Sequence, residues 1–141
     1  MTGGCYEKAI SWLKKNFFFF CLILLLLSCT SDVIKDLGEG YFLREEGADV
    51  KDILCEKPNG KEIPASVIAY DFDKDFIIAK QKPKLPQDPL YDKKYNYKRG
   101  GEEFYYWIIN KKKHIVIGPM DKLEFQKERE KHRISESLAL E

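Results

Sequence analysis

From Gly40 onward the chain is written in short runs rich in Tyr, Phe, Ile and Val, cut by turn residues at intervals of about 8 to 15 residues, and this rhythm constrains its fold most. Runs this short make poor isolated helices, whereas β-branched and aromatic side chains suit a pleated, half-buried surface. The pattern predicts strands over 41–45, 50–57, 62–70, 76–80, 104–109 and 114–117. Asn59-Gly60 supplies the turn chemistry for a hairpin between the second and third. Pro64 stands near the start of the third, where a missing amide does least harm. Asp71-Phe72-Asp73-Lys74-Asp75 turns the chain into a second hairpin, and Asn110-Lys111-Lys112-Lys113 into a third, which Gly118-Pro119 is expected to stop. Residues 82–101 hold Pro83, Pro86, Pro89 and Gly100-Gly101, too much punctuation for a regular element, and form the longest loop.

Asp121-Lys122-Leu123-Glu124 fits a capping box, and neither Gly nor Pro interrupts 122–132, so a C-terminal helix is expected there. Its apolar stripe is narrow, made by Leu123, Phe125 and Ile134, and residues 135–141 should fray. The expected fold class is α+β: a small antiparallel β-meander sheet of about six strands with one C-terminal helix, preceded by a signal peptide. The expected organisation is a leader over 1–28, a polar tether over 29–39, a single β-rich domain over 40–134 and a loose tail over 135–141.

The leader is read from an apolar run of about 11 residues, Phe17 to Leu27, preceded by Lys8, Lys14 and Lys15. That length suits the core of a secretory signal and falls far short of the roughly 20 residues a spanning helix needs. Leu26-Leu27-Ser28-Cys29 closes the run and resembles the lipobox of bacterial lipoproteins. The resemblance implies cleavage before Cys29, a diacylglyceryl group on its thiol and acylation of the new amino terminus, so the partner is a membrane held through lipid. An ordinary secretory signal and a buried helix are the competing readings of the run. Thr30, in place of the aspartate that would signal inner-membrane retention in enterobacteria, favours the outer membrane where two membranes exist.

Cleavage there leaves about 110 residues, enough for one small domain and too few for two. Charge is nearly balanced, 24 basic residues against 23 acidic ones, which argues against nucleic acid as a partner. Of four cysteines, Cys5 and Cys21 lie in the leader and Cys29 is the expected lipid site, leaving Cys55 with no disulfide partner. Cys55 reads as a small buried hydrophobe rather than a reactive thiol.

Chemistry-bearing patterns are sparse. Asp71, Asp73 and Asp75 alternate like the opening of a calcium loop, but Phe76 stands where that loop needs glycine and Lys82 where it needs glutamate. A solvated turn explains the three acids better. His114 and His132 lack metal-ligand spacing, and no serine sits in a nucleophile elbow. No catalytic residue, metal or cofactor is therefore expected, and the chain is not expected to be an enzyme. Phe104-Tyr105-Tyr106-Trp107 reads as core and cross-strand packing. One surface candidate stands out: Tyr91, Lys93, Lys94, Tyr95, Tyr97, Lys98 and Arg99 interleave aromatics with cations. The stretch is either a binding loop for an anionic partner or a lid whose tyrosines cover the sheet while its lysines face water.

Gly40-Tyr41-Phe42-Leu43, Asp75-Phe76-Ile77-Ile78-Ala79-Lys80-Gln81, Tyr106-Trp107-Ile108-Ile109-Asn110 and Gly118-Pro119-Met120, with Glu124-Phe125 just after, resemble a family of small bacterial lipoproteins known only as a domain of unknown function. The resemblance implies the fold and the anchor and transfers no active site. The expected role is a lipid-anchored cell-envelope protein whose domain binds or scaffolds an envelope protein partner without catalysis. The alternative is a membrane-tethered immunity protein or inhibitor that neutralises a toxin or an envelope enzyme.

Overall fold

Among the described residues seven strands form where β-branched and aromatic residues concentrate: β1 Val33–Gly38, β2 Tyr41–Glu46, β3 Val50–Cys55, β4 Val67–Phe72, β5 Phe76–Gln81, β6 Tyr105–Asn110 and β7 Ile115–Met120. One helix, α1 Lys122–Lys131, follows them. The computed structural model describes residues 32–47, 49–57 and 61–141. The expected leader over 1–28, the expected lipid site Cys29, the start of the expected tether and the expected turn at Pro58-Asn59-Gly60 lie outside the described residues. Among the described residues no helix is long and apolar enough to cross a membrane.

The class is α+β, but the strands divide into two antiparallel sheets, a first of order β1-β2-β3 and a second of order β4-β5-β6-β7. The division corrects the single six-stranded meander. Instead of a third strand over 62–70, Ile63 makes one two-way backbone bridge with Ile53, at 3.1 and 2.8 Å, and the chain then leaves the first sheet. Pro64 has no amide to continue the ladder, and the Ala65 amide donates instead to the Tyr91 hydroxyl at 3.0 Å. By Val67 the chain pairs with β5, in the second sheet.

β1 corrects the expected tether over 29–39. It pairs with β2 from Val33 opposite Glu45 to Gly38 opposite Tyr41, around a turn in which Gly38, Glu39 and Gly40 all have positive φ. Leu37 is its one buried side chain, so β1 is held by backbone pairing more than by burial. A second fastening comes from the β6–β7 turn, where the buried Lys111 ammonium donates to the Leu37 carbonyl at 2.7 Å over the Phe72 ring. Burial lowers the Lys111 pKa, against the pull of Asp73, Glu39, Asp75 and Asp36.

Gly118-Pro119 does not end the third hairpin as expected; β7 runs through it to Met120. The pairing with β6 slips a residue between Tyr106 and Ile108, and Gly118, at φ +143°, carries the backbone across the Trp107 ring.

The second sheet is buried on both faces. One face meets the first sheet through Ile77, Ala79, Trp107 and Ile109, against Leu37, Tyr41, Leu43 and Ile53. The other, through Ile78, Ile108 and Met120, meets Phe125 of α1 with Ile134 and Leu138 beyond the helix. Leu123, expected in the helix stripe, is 60% exposed. Phe125 seats the helix by stacking on Tyr106 with ring centroids 5.1 Å apart. The expected fraying of 135–141 is also corrected: Leu138 is buried, Arg129 donates to the Ser135 and Leu138 carbonyls at 2.7 and 3.0 Å, and the Ala139 amide donates to Asp71 at 2.9 Å.

The capping box forms as the sequence predicts, with the Glu124 amide donating to Asp121 Oδ1 at 2.8 Å and the Asp121 amide to Glu124 Oε2 at 3.0 Å. Asp121→Ala should lower the thermal unfolding midpoint by about 4 °C, followed by circular dichroism; an unchanged midpoint removes the cap from the account.

Candidate functional site

Residues 82–104 are irregular because proline and glycine deny them a ladder, yet they are firmly seated. Lys82 and Ser66 exchange two backbone hydrogen bonds at 3.0 and 3.1 Å, and the Lys84 amide donates to the Ala65 carbonyl at 3.0 Å. Gln87 staples the loop internally, donating to the Lys93 carbonyl at 2.6 Å and accepting from the Tyr95 amide at 3.1 Å.

Tyrosine hydroxyls add to the fastening. Tyr91 donates to Asp52 Oδ2 at 2.7 Å while it accepts from Ala65. Tyr95 donates to the Glu62 carbonyl at 3.2 Å and sets its ring edge-on to Trp107, centroids 4.9 Å apart. Tyr97 accepts from Gln81 Nε2 at 3.0 Å and packs edge-on to Tyr105. Tyr105, at the start of β6, closes the loop by accepting from the Arg99 amide and donating to the Gly100 carbonyl.

Two buried polar residues, Gln81 and Asp52, anchor Tyr97 and Tyr91. Gln81, at the end of β5, accepts from the Trp107 indole at 2.7 Å and donates to the Pro64 carbonyl at 2.7 Å as well as to Tyr97. Asp52, fully buried on β3, lies opposite Arg44 of β2 and takes two of its donors, Nε at 3.1 Å and Nη2 at 2.6 Å. Arg44 Nη1 also reaches Glu46 at 3.1 Å. The hydrogen bond to Asp52 raises the Arg44 pKa. Burial raises the Glu62 carboxyl pKa, against the backbone amide of Asp92 that donates to it. Between Arg44, Glu46 and Val50 of the sheet and Pro86, Pro89 and Leu90 of the loop lies an open groove of about 400 Å³.

The seven loop residues singled out in the sequence therefore part company. Tyr91, Tyr95 and Tyr97 turn inward as fasteners. Lys93, Lys94, Lys98 and Arg99 face water, Lys93 over the Tyr95 ring at 5.1 Å and Arg99 over Tyr105 at 5.6 Å. Arg44, Asp52 and Gln81 escaped the sequence reading. The signal for the first two was opposite charge at facing positions of the β2–β3 hairpin.

The remaining candidates have structural tasks. Asp73 Oδ1 accepts from the Asp75 and Phe76 amides at 2.8 and 2.7 Å, Asp71 accepts from Phe72 and Ala139, and Asp75 pairs with Lys112 at 2.6 Å. Among the described residues no group of three His, Cys, Asp or Glu could hold a metal ion. His114 stacks on Tyr41 and sets Nε2 2.8 Å from Lys57 Nζ; desolvation, then Lys57 and Lys61, lower its pKa. His132 pairs with Glu128 at 3.2 Å. Cys55 is a half-buried free thiol at the edge of the core. Tyr105 and Trp107 are core residues as expected, whereas Phe104 is exposed beneath the Lys80 ammonium.

Burial pushes the hydroxyls of Tyr95 and Tyr97 up to about 12, and raises that of Tyr91 as well. A tyrosine whose folded pKa lies above its unfolded value of about 10 stabilises the fold fully below pH 10, and loses that contribution as pH rises toward 12. Absorbance titration of phenolate should show a late group of tyrosines ionising together with loss of the fold. Normal titration of every tyrosine, with the fold intact at pH 11, is the result that would remove these fasteners.

Comparison with known proteins gives one finding. A family model described as "Protein of unknown function (DUF3997)" matches residues 38–141. No curated protein and no solved structure matches the chain.

Proposed function

Because the chain belongs to the DUF3997 family of proteins of unknown function, we propose a role from its own residues: a lipid-anchored cell-envelope protein whose β-rich domain binds or scaffolds an anionic partner without catalysis. The anchor is Cys29, following the apolar run and Leu26-Leu27-Ser28. Two acyl chains already hold a protein stably on a bilayer, at about 0.8 kcal/mol per buried methylene, and a lipobox cysteine carries three.

The observation that carries the binding role is the fixed loop. Its tyrosine hydroxyls are engaged with Asp52, the Glu62 carbonyl and Gln81, so Lys93, Lys94, Lys98 and Arg99 are presented to water on a backbone already ordered. Such a surface loses little conformational freedom on contact, and its cations steer an anionic partner toward it.

Growth on labelled palmitate tests the anchor, with label and membrane fractionation lost in Cys29→Ala. Equal labelling of the variant overturns it. For the loop, changing Lys93, Lys94, Lys98 and Arg99 together to serine should abolish capture of an envelope partner in pull-downs while leaving the melting curve in place. Capture undiminished by the four changes overturns the loop's role.

A further inference from the structure

The outer face of the first sheet is covered unevenly. Near Asp52 it is covered by Tyr91, but its far end is an open hollow of about 480 Å³ lined by Ile34, Asp36, Glu39, Phe42 and Glu56. Asp36, Phe42 and Leu54 face one another across the three strands, with Ile34 one rung along and 67% exposed. The floor is apolar and three carboxylates rim it, while the nearest cations are committed elsewhere: Arg44, opposite Ile34, to Asp52 and Glu46, and Lys111 to the Leu37 carbonyl.

β1 is also an open edge. Both backbone groups of Ile53 are bonded to Ile63, away from β2. The antiparallel alternation then turns the groups of Leu43 and its partner Lys35 toward each other, and the amides and carbonyls of Ile34 and Asp36 outward. No described strand pairs there. Proteins often blunt such an edge with lysine, but the Lys35 ammonium is drawn to the Tyr70 hydroxyl at 3.2 Å and lies over the Tyr70 and Phe72 rings.

The geometry points to strand addition at β1 by an extended segment of a partner protein that carries a basic side chain two residues from an apolar one. Strand periodicity places both side chains on the same face, the apolar one beside Ile34, the basic one beside Asp36 in the field of Glu39 and Glu56. A second copy of this chain fits poorly. Twofold pairing centred on Lys35 opposes two lysines, centring on Asp36 opposes two aspartates, and centring on Ile34 sets Asp32 against Asp36. This surface is separate from the 91–99 loop and independent of the lipid anchor.

The test is fluorescence anisotropy of a labelled peptide alternating Lys-Thr-Val-Thr, titrated with the full chain in detergent micelles, against the same peptide with Glu for Lys. Saturable binding of the lysine peptide alone is expected. Ile34→Thr, which keeps a β-branched residue, and the exposed pair Glu39→Gln with Glu56→Gln should each weaken it about tenfold or more with unchanged melting curves. Absence of binding, equal binding of both peptides, or undiminished binding by both variants overturns the proposal. So does sedimentation showing a dimer that Ile34→Thr dissociates, because a second copy then occupies the edge.

Discussion

Gly118→Ala should destabilise the domain by about 3 kcal/mol or more, combining overpacking of the core with a backbone conformation that side chains resist. A Cβ at this position would stand 2.5 Å from Trp107 Cε3, 2.7 Å from Cδ2 and 3.0 Å from the Tyr106 carbonyl oxygen, on a residue at φ +143°. Neither neighbour can give way cheaply. Trp107 is fully buried, its indole bonded to Gln81 and its ring met edge-on by Tyr95, and the carbonyl belongs to β6 itself. Urea unfolding followed by tryptophan fluorescence would measure the loss. A change below about 1 kcal/mol would mean that β7 does not cross Trp107 as described.

Arg44→Met should cost about 3 kcal/mol, because it leaves the Asp52 carboxylate sealed from water with Tyr91 as its remaining donor. The figure is the low end for a broken buried pair, since the Arg44 side chain is 31% exposed. Removing both charges, as Arg44→Met with Asp52→Leu, should recover most of the loss, because no uncompensated charge then remains. In that double variant Tyr91 loses its acceptor, so the loop should become protease-sensitive while the sheets stay folded. Equal stability of the single and double variants would show that Asp52 does not depend on Arg44.

What could be read from the sequence was what is decided locally. The turn Asp73–Asp75 is fixed by an aspartate bonding amides two and three residues on, and the helix start by Asp121 and Glu124 bonding each other. Both signals lie within four residues. The break between the sheets was not readable, because it depends on the Ala65 amide meeting a hydroxyl 26 residues later in a loop without pattern. β1 was missed since Leu37 alone enters the core, although Gly38-Glu39-Gly40 marked its turn. For the loop, the residue types were legible and their directions were not: alternation predicts facing only where a ladder imposes it.

The unequal covering of the two sheets sets an order of opening. β5 and β6 lie inside a sheet with neighbours on either side and packing on both faces, so their amides should exchange with solvent only through global unfolding. The first sheet has packing on its inner face and a bare end outside, and should swing open as a separate cooperative unit at lower free energy. A strand added at β1 would close that shutter, and its presence would be recorded as slowed deuterium uptake across β1, β2 and β3 with β5 and β6 unchanged.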